Sequence, residues 1–217
     1  MDFRLHQGGE FRRWLGERLG GDFALGDRIW RRILHGLGAT VLVYFAVPNR
    51  FFVIAPKEAI LLALLGLVLL AELLRFTVGL ELPTVRAYES HRVGGYVYFA
   101  VALTIAVLLF PEPIAVAVVL GTAFVDPVAG ELRTLARRPS LYPAVPVALY
   151  AVLAFASLRI VGGWPWGLDA LLALAAAALA VAVERPKLPW VDDDLVMTIV
   201  PALFLYGVGV LALGLPR

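Results

Sequence analysis

"VLGTAFVDPVAGE", residues 119–131, places an aspartate, a proline and a glutamate in a run otherwise apolar enough for the middle of a membrane helix. A carboxylate in hydrocarbon costs about 2.5 kcal/mol or more, so such a residue points first to function. Pro127 should break the helical ladder and free backbone carbonyls beside Asp126. A purely structural kink needs no aspartate. Gly121 and Gly130 leave room for a second helix or a ligand to come close.

The rest of the chain makes the membrane reading general. Of 217 residues 61% are hydrophobic and only 17% charged, against roughly 25% charged in an ordinary soluble domain. Seven apolar stretches approach the roughly 20 residues a span needs: 33–50, 57–75, 94–110, 113–131, 143–161, 165–184 and 194–214. "PNRFF" (48–52) interrupts the first, and "PEP" (111–113) makes a tight turn between the third and fourth. "ALAAAALAVAV" (173–183) carries the small residues that let membrane helices pack closely. The expected fold is an all-α, polytopic transmembrane bundle of about seven spans.

Residues 28–217 form one membrane domain. Residues 1–27 precede it without the apolar core of a signal peptide. Phe11, Trp14, Leu15 and Leu19 share one helical face there, as in a helix lying on an anionic membrane; a partly ordered tail is the alternative. With the N-terminus cytoplasmic, all but four of the 19 basic residues fall inside, as the positive-inside rule demands. The chain is thus expected in the cell membrane, if the source is prokaryotic. A net charge of +2, with no gathered basic tract, is too small to suggest nucleic-acid binding, and the absence of cysteine excludes disulfides and thiolate metal sites.

The acidic residues, which played no part in that orientation, gather on the same side. Glu72, Asp126, Glu131 and Glu184 end spans there, Asp192, Asp193 and Asp194 begin one, and Glu89 lies in a long inside loop. In "RIWRRILHGLG" (28–38), Arg28, Arg32 and His35 follow helical spacing on one face. In "AELLRF" (71–76), Glu72 and Arg75 can pair along one face, and "RAYESHRVGGY" (86–96) adds Glu89, His91 and Arg92 before two glycines. "VERPKLPWVDDDLVMTIVPAL" (183–203) opens a helix with three aspartates. One suffices to cap a helix. Three repel unless a cation is near, which favours Mg²⁺ or phosphate chemistry. There is no Ser/His/Asp constellation, Walker loop or GxGxxG motif.

Taken in order, "RRILHGLG", "AELLR", "RAYESHRVGGYVYFAVALTIAVLLFP", "FVDPVAGE" and "VDDDLVMTIVPAL" resemble the dolichol kinase / phytol kinase family, which includes CTP-dependent diacylglycerol kinases. The resemblance spans roughly residues 28 to 212. It implies phosphoryl transfer from a nucleoside triphosphate, CTP in preference to ATP, to the hydroxyl of a long-chain isoprenoid or other lipid alcohol. On that resemblance Asp126, Arg32, His35 and Glu72 are the catalytic candidates. Mg²⁺ would be held by Asp126 with Asp192, Asp193 and Asp194. Arg75, Arg92, Arg133, Arg137 and Arg138 would face the phosphates, with Glu89, Glu131 and Pro127 close by.

The chain departs from the family after the aspartate motif. "AGELRTLARRPSLYPAVPV" (129–147) has no Lys-Ser/Thr segment, and Asp194 stands where the family has Asn. Either Arg133, Arg137 and Arg138 take over triphosphate binding, or activity is altered or lost. The alternatives are a cytidylyltransferase forming a CDP-lipid, a non-catalytic relative, and a carrier in which Asp126 and Glu72 move protons or cations.

Overall fold

A computed structural model describes residues 32–49, 55–80, 82, 85, 92–134, 141–184 and 191–215. The expected interfacial helix, Arg28, Glu89, His91, Arg137 and Arg138 lie outside the described residues. Among those described there is no strand. The helical segments are α1 (Arg32–Ala46), α2 (Lys57–Val78), α3 (Gly95–Leu109), α4 (Glu112–Thr134), α5 (Ala144–Ile160), α6 (Leu168–Glu184) and α7 (Asp193–Phe204). Each falls within one of the seven apolar stretches, give or take a few residues.

Three of them, α2, α4 and α7 with its extension, are long and apolar enough to cross a membrane. The others are shorter than the sequence suggested, because turn residues cut them. α3 has 15 residues, about 22 Å at 1.5 Å per residue, against a hydrocarbon layer of about 30 Å. Pro111 stops it, and the Pro111 carbonyl then accepts from Ile114 and Ala115 N–H at 3.0 and 2.9 Å to start α4. α1 tightens to a 3₁₀ turn over Ala39–Leu42 and ends at Ala46, before the proline of "PNRFF". α2 stops at Gly79, whose φ of +72° suits a residue without a Cβ.

One expectation is corrected. The ladder does not break at Asp126-Pro127: α4 continues through Pro127 to Thr134. The ring removes only the donor to the Ala123 carbonyl, and bonds on either side carry the helix past it. Separately, α7 passes at Leu205 into a π-helix ending at Ala212.

α4 packs on α5, α5 on α6, and α6 on α7, while α7 also lies against α3 and α4. Small residues set these approaches. Ala173, Ala176, Ala177 and Ala180 of α6 are buried in the core, and the Trp164 ring sits where a Cβ on Gly209 would come within 2.5 Å of it. α2 stands at the edge. Only Leu61 and Glu72 along it are buried, and Leu62, Leu67, Leu70 and Leu73 are exposed. So wide an apolar face on one helix suits lipid better than water.

Gly121 makes the α4–α5 contact: a Cβ there would lie 2.3 Å from the fully buried Tyr150 ring. We expect Gly121→Ala to destabilise the bundle by about 1–3 kcal/mol through overpacking. Thermal unfolding in detergent would read this, with Tyr150→Leu restoring much of the loss. An unaltered midpoint would mean that this contact carries no strain.

Candidate functional site

The local placement of the aspartates follows from capping. Asp192 is the N-cap of α7, and its Oδ1 accepts from the Asp194 N–H at 3.3 Å. That satisfies one free amide and leaves Asp193 and Asp194 in the first turn. Asp192 and Asp194 are buried. Burial first, then the charges of Asp194 and Asp193, pushes the Asp192 carboxyl up to about 7.

Two threonines set α7 against α4. Thr198 Oγ1 donates to the Asp194 carbonyl at 2.8 Å and lies 2.8 Å from Thr122 Oγ1. The Thr198 proton being used, Thr122 is the donor of the second bond. Thr122 is one turn before Asp126 and Thr198 one turn after Asp194, so this staple faces the two carboxylates toward each other.

His35 of α1 closes the group. Its Nε2 lies 3.4 Å from Asp126 Oδ2 and 3.3 Å from Asp194 Oδ1. A protonated Nε2 in this place donates to both carboxylates. The imidazole stacks on Phe99 of α3 with centroids 4.6 Å apart. On the other side of Asp126 stand Asp193 and Glu184, the last residue of α6. One ligand atom from each of His35, Asp126 and Asp194 lies within 4.8 Å of the others, and the same holds for Asp126, Glu184 and Asp193.

Three carboxylates from three helices make an oxygen donor set that fits Mg²⁺, which takes carboxylate, water and phosphate oxygens. The set containing imidazole suits Mg²⁺ less well. The all-carboxylate trio is therefore the better fit. No comparison supplies a family: protein-family models, curated proteins and solved structures all give no match to this chain.

Two arginines flank the cluster. Arg32 pairs with Glu131, one helical turn after Pro127. Arg133 pairs with the fully buried Glu184, donates from Nε to the Ala129 carbonyl at 3.3 Å, and lies over the Tyr142 ring. The Tyr142 hydroxyl also donates to Glu184, at 3.3 Å. Among the described residues none would meet a Cβ at Gly130 within 4 Å.

Glu72 and Arg75 are engaged elsewhere. Arg75 donates from Nε and a terminal nitrogen to both Glu72 oxygens, at 2.6 and 2.8 Å. Glu72 also accepts from the Gly94 N–H at 2.8 Å and the Tyr96 hydroxyl at 2.6 Å. Arg75 further donates to the Arg92 carbonyl at 2.6 Å. This knot ties the end of α2 to the start of α3, one turn from Phe99.

Sequence reasoning thus brought Asp126, Asp192–Asp194 and His35 together, but left Glu184 out of the site, along with Thr122, Thr198, Tyr96 and Tyr142. A threonine four residues from each key aspartate was the available signal for the staple. Nothing local marks Tyr96 or Tyr142.

Proposed function

We propose that this protein transfers the terminal phosphoryl group of a nucleoside triphosphate, CTP in preference, to the hydroxyl of a long-chain isoprenoid or other lipid alcohol. The observation that carries the reading is the convergence of His35, Asp126, Glu184, Asp193 and Asp194 from four helices at one end of an apolar bundle. Soluble-phase chemistry has no need of such a scaffold; a lipid headgroup meeting a nucleotide does. The order of motifs along the chain adds the family resemblance to this.

Phosphoryl transfer is mainly positioning and charge stabilisation. Asp126, Glu184 and Asp193 would hold Mg²⁺, which when bound would neutralise phosphate charge. Asp194, held by His35 Nε2, accepts the alcohol proton as the alcohol oxygen bonds to the terminal phosphorus. The bond from that phosphorus to the bridging oxygen breaks, and the nucleoside diphosphate leaves. Arg32 and Arg133, which flank the cluster, would supply guanidinium forks for the triphosphate. Basic residues flank the helix ends that carry this cluster, which by the positive-inside rule supports a cytoplasmic face, of the cell membrane if the source is prokaryotic.

The test is phosphate transfer by the purified chain in detergent with Mg²⁺. Terminally labelled CTP and ATP would be tried separately against polyprenols, phytol and diacylglycerol. Label in the lipid fraction is expected. Release of pyrophosphate with a phosphorylated lipid would instead make the chain a cytidylyltransferase. Silence with every pair would overturn the kinase reading and leave a non-catalytic relative or a carrier.

A further inference from the structure

Between α1, α2 and α3 lies a cavity of about 400 Å³, in the size range of small-molecule sites. Its walls include Leu37 and Gly38 of α1, Leu61, Leu65 and Val68 of α2, and Leu103 of α3. From Val68 to Lys57 it follows α2 across twelve residues, about 16 Å at 1.5 Å per step. That is about half of a hydrocarbon layer of about 30 Å, the depth of one leaflet.

The two ends differ. At one, Leu37 and Gly38 follow His35 within a single turn. A Cβ on Gly38 would lie 2.4 Å from the Phe99 ring that stacks on His35. The Phe99 ring thus touches both His35 and the cavity wall at Gly38. At the other end Tyr44 and Lys57 form a polar stop. Lys57 Nζ sits 4.3 Å from the centre of the Tyr44 ring and donates to the Tyr44 carbonyl at 3.2 Å. The Tyr44 hydroxyl donates to Glu58 Oε1 at 2.8 Å.

We infer that this cavity seats the hydrocarbon tail of the substrate alcohol: one linear chain whose hydroxyl reaches past Phe99 to His35 and Asp194, and whose far end meets the Tyr44–Lys57 stop. The inference rests on the proposed lipid-alcohol reading and adds to it where the tail runs and what limits its length. A bulk acyl chain would gain the same apolar contact. It has no reason to run toward a carboxylate cluster, whereas the tail of a reacting alcohol must begin there. The cavity ends at Leu37 and Gly38, within one helical turn of His35 and separated from it by the Phe99 ring, and this adjacency favours the substrate.

Leu65→Trp fills the middle of the cavity from a helix that packs only at the bundle edge. Displacing about two methylenes from it is worth about tenfold in affinity. The KM ratio of geranylgeraniol to geraniol should therefore rise about tenfold in Leu65→Trp, while an equal change for both alcohols, or none, would overturn the inference. A second measurement needs no turnover. A long linear alcohol carrying a terminal diazirine should label Tyr44, Leu61 or Leu65 in the full-length protein. Excess unlabelled alcohol should compete, and Leu65→Trp should weaken the labelling. If transfer fails but labelling is competed, the tail site stands and the kinase reading falls. If a diazirine-bearing phospholipid labels these positions equally and the alcohol does not compete, the cavity belongs to bulk lipid and the inference falls.

Discussion

Asp126→Asn should reduce phosphate transfer by more than about a hundredfold while the protein stays folded. Outer partners of a metal ligand typically cost 10–100-fold when removed, and Asp126 stands in the inner set. It is the one residue common to both groups of potential ligands. Asparagine keeps the size of the side chain but offers a single neutral acceptor, and its amide would face Asp193, Glu184 and His35. The Thr122–Thr198 bond, one turn away, does not involve the carboxylate, so the α4–α7 contact should survive. Two readings are needed together: labelled lipid per mole of folded protein, and the rise in thermal midpoint on adding Mg²⁺. Both should collapse in Asp126→Asn. Wild-type transfer by this variant would remove Asp126 from the mechanism, whatever the metal titration showed.

Glu72→Ala should be the most destabilising single change, by about 3–5 kcal/mol, the range for removing one partner of a buried ion pair. The alanine leaves the Arg75 guanidinium, the Tyr96 hydroxyl and the Gly94 N–H without the oxygens that now accept from them. Glu72→Gln, which keeps an acceptor and the volume, should lose less. The pair of variants separates two roles for Glu72. The sequence suggested a catalytic one, and a catalytic Glu72 would make the glutamine variant inactive at normal stability. A knot joining α2 to α3 instead predicts that activity per folded molecule survives in Glu72→Gln while the unfolding midpoint falls. The same knot already occupies Arg75, for which the sequence suggested phosphate contact.

Some of this was open to reading because the bilayer imposes strong one-dimensional rules. The apolar stretches stand out since backbone polar groups in hydrocarbon must pair within their own segment. Their ends were marked by residues with local meaning: Gly79 with its left-handed φ, Pro111 after α3, and Asp192 as the cap of α7. Local meaning also misled. Pro127 reads as a helix breaker, yet α4 continues, because one missing donor costs less than dismantling a helix packed along its length against α5 and α7.

What the sequence determined by itself was therefore the set of helices, their order, and the gathering of acids at one set of ends. Those follow from hydropathy, capping and charge asymmetry, which act over a few residues. Which acids meet was decided only by tertiary packing. Asp126 and Asp194 face one another because Thr122 and Thr198, 76 positions apart, bond across α4 and α7. Glu184 joins them because the alanines of α6 let that helix lie close. Glu72 stays out because Tyr96, 24 positions away, and the Gly94 amide take its oxygens. Distances of this kind depend on how helix faces interlock, which spacing along the chain does not fix by itself.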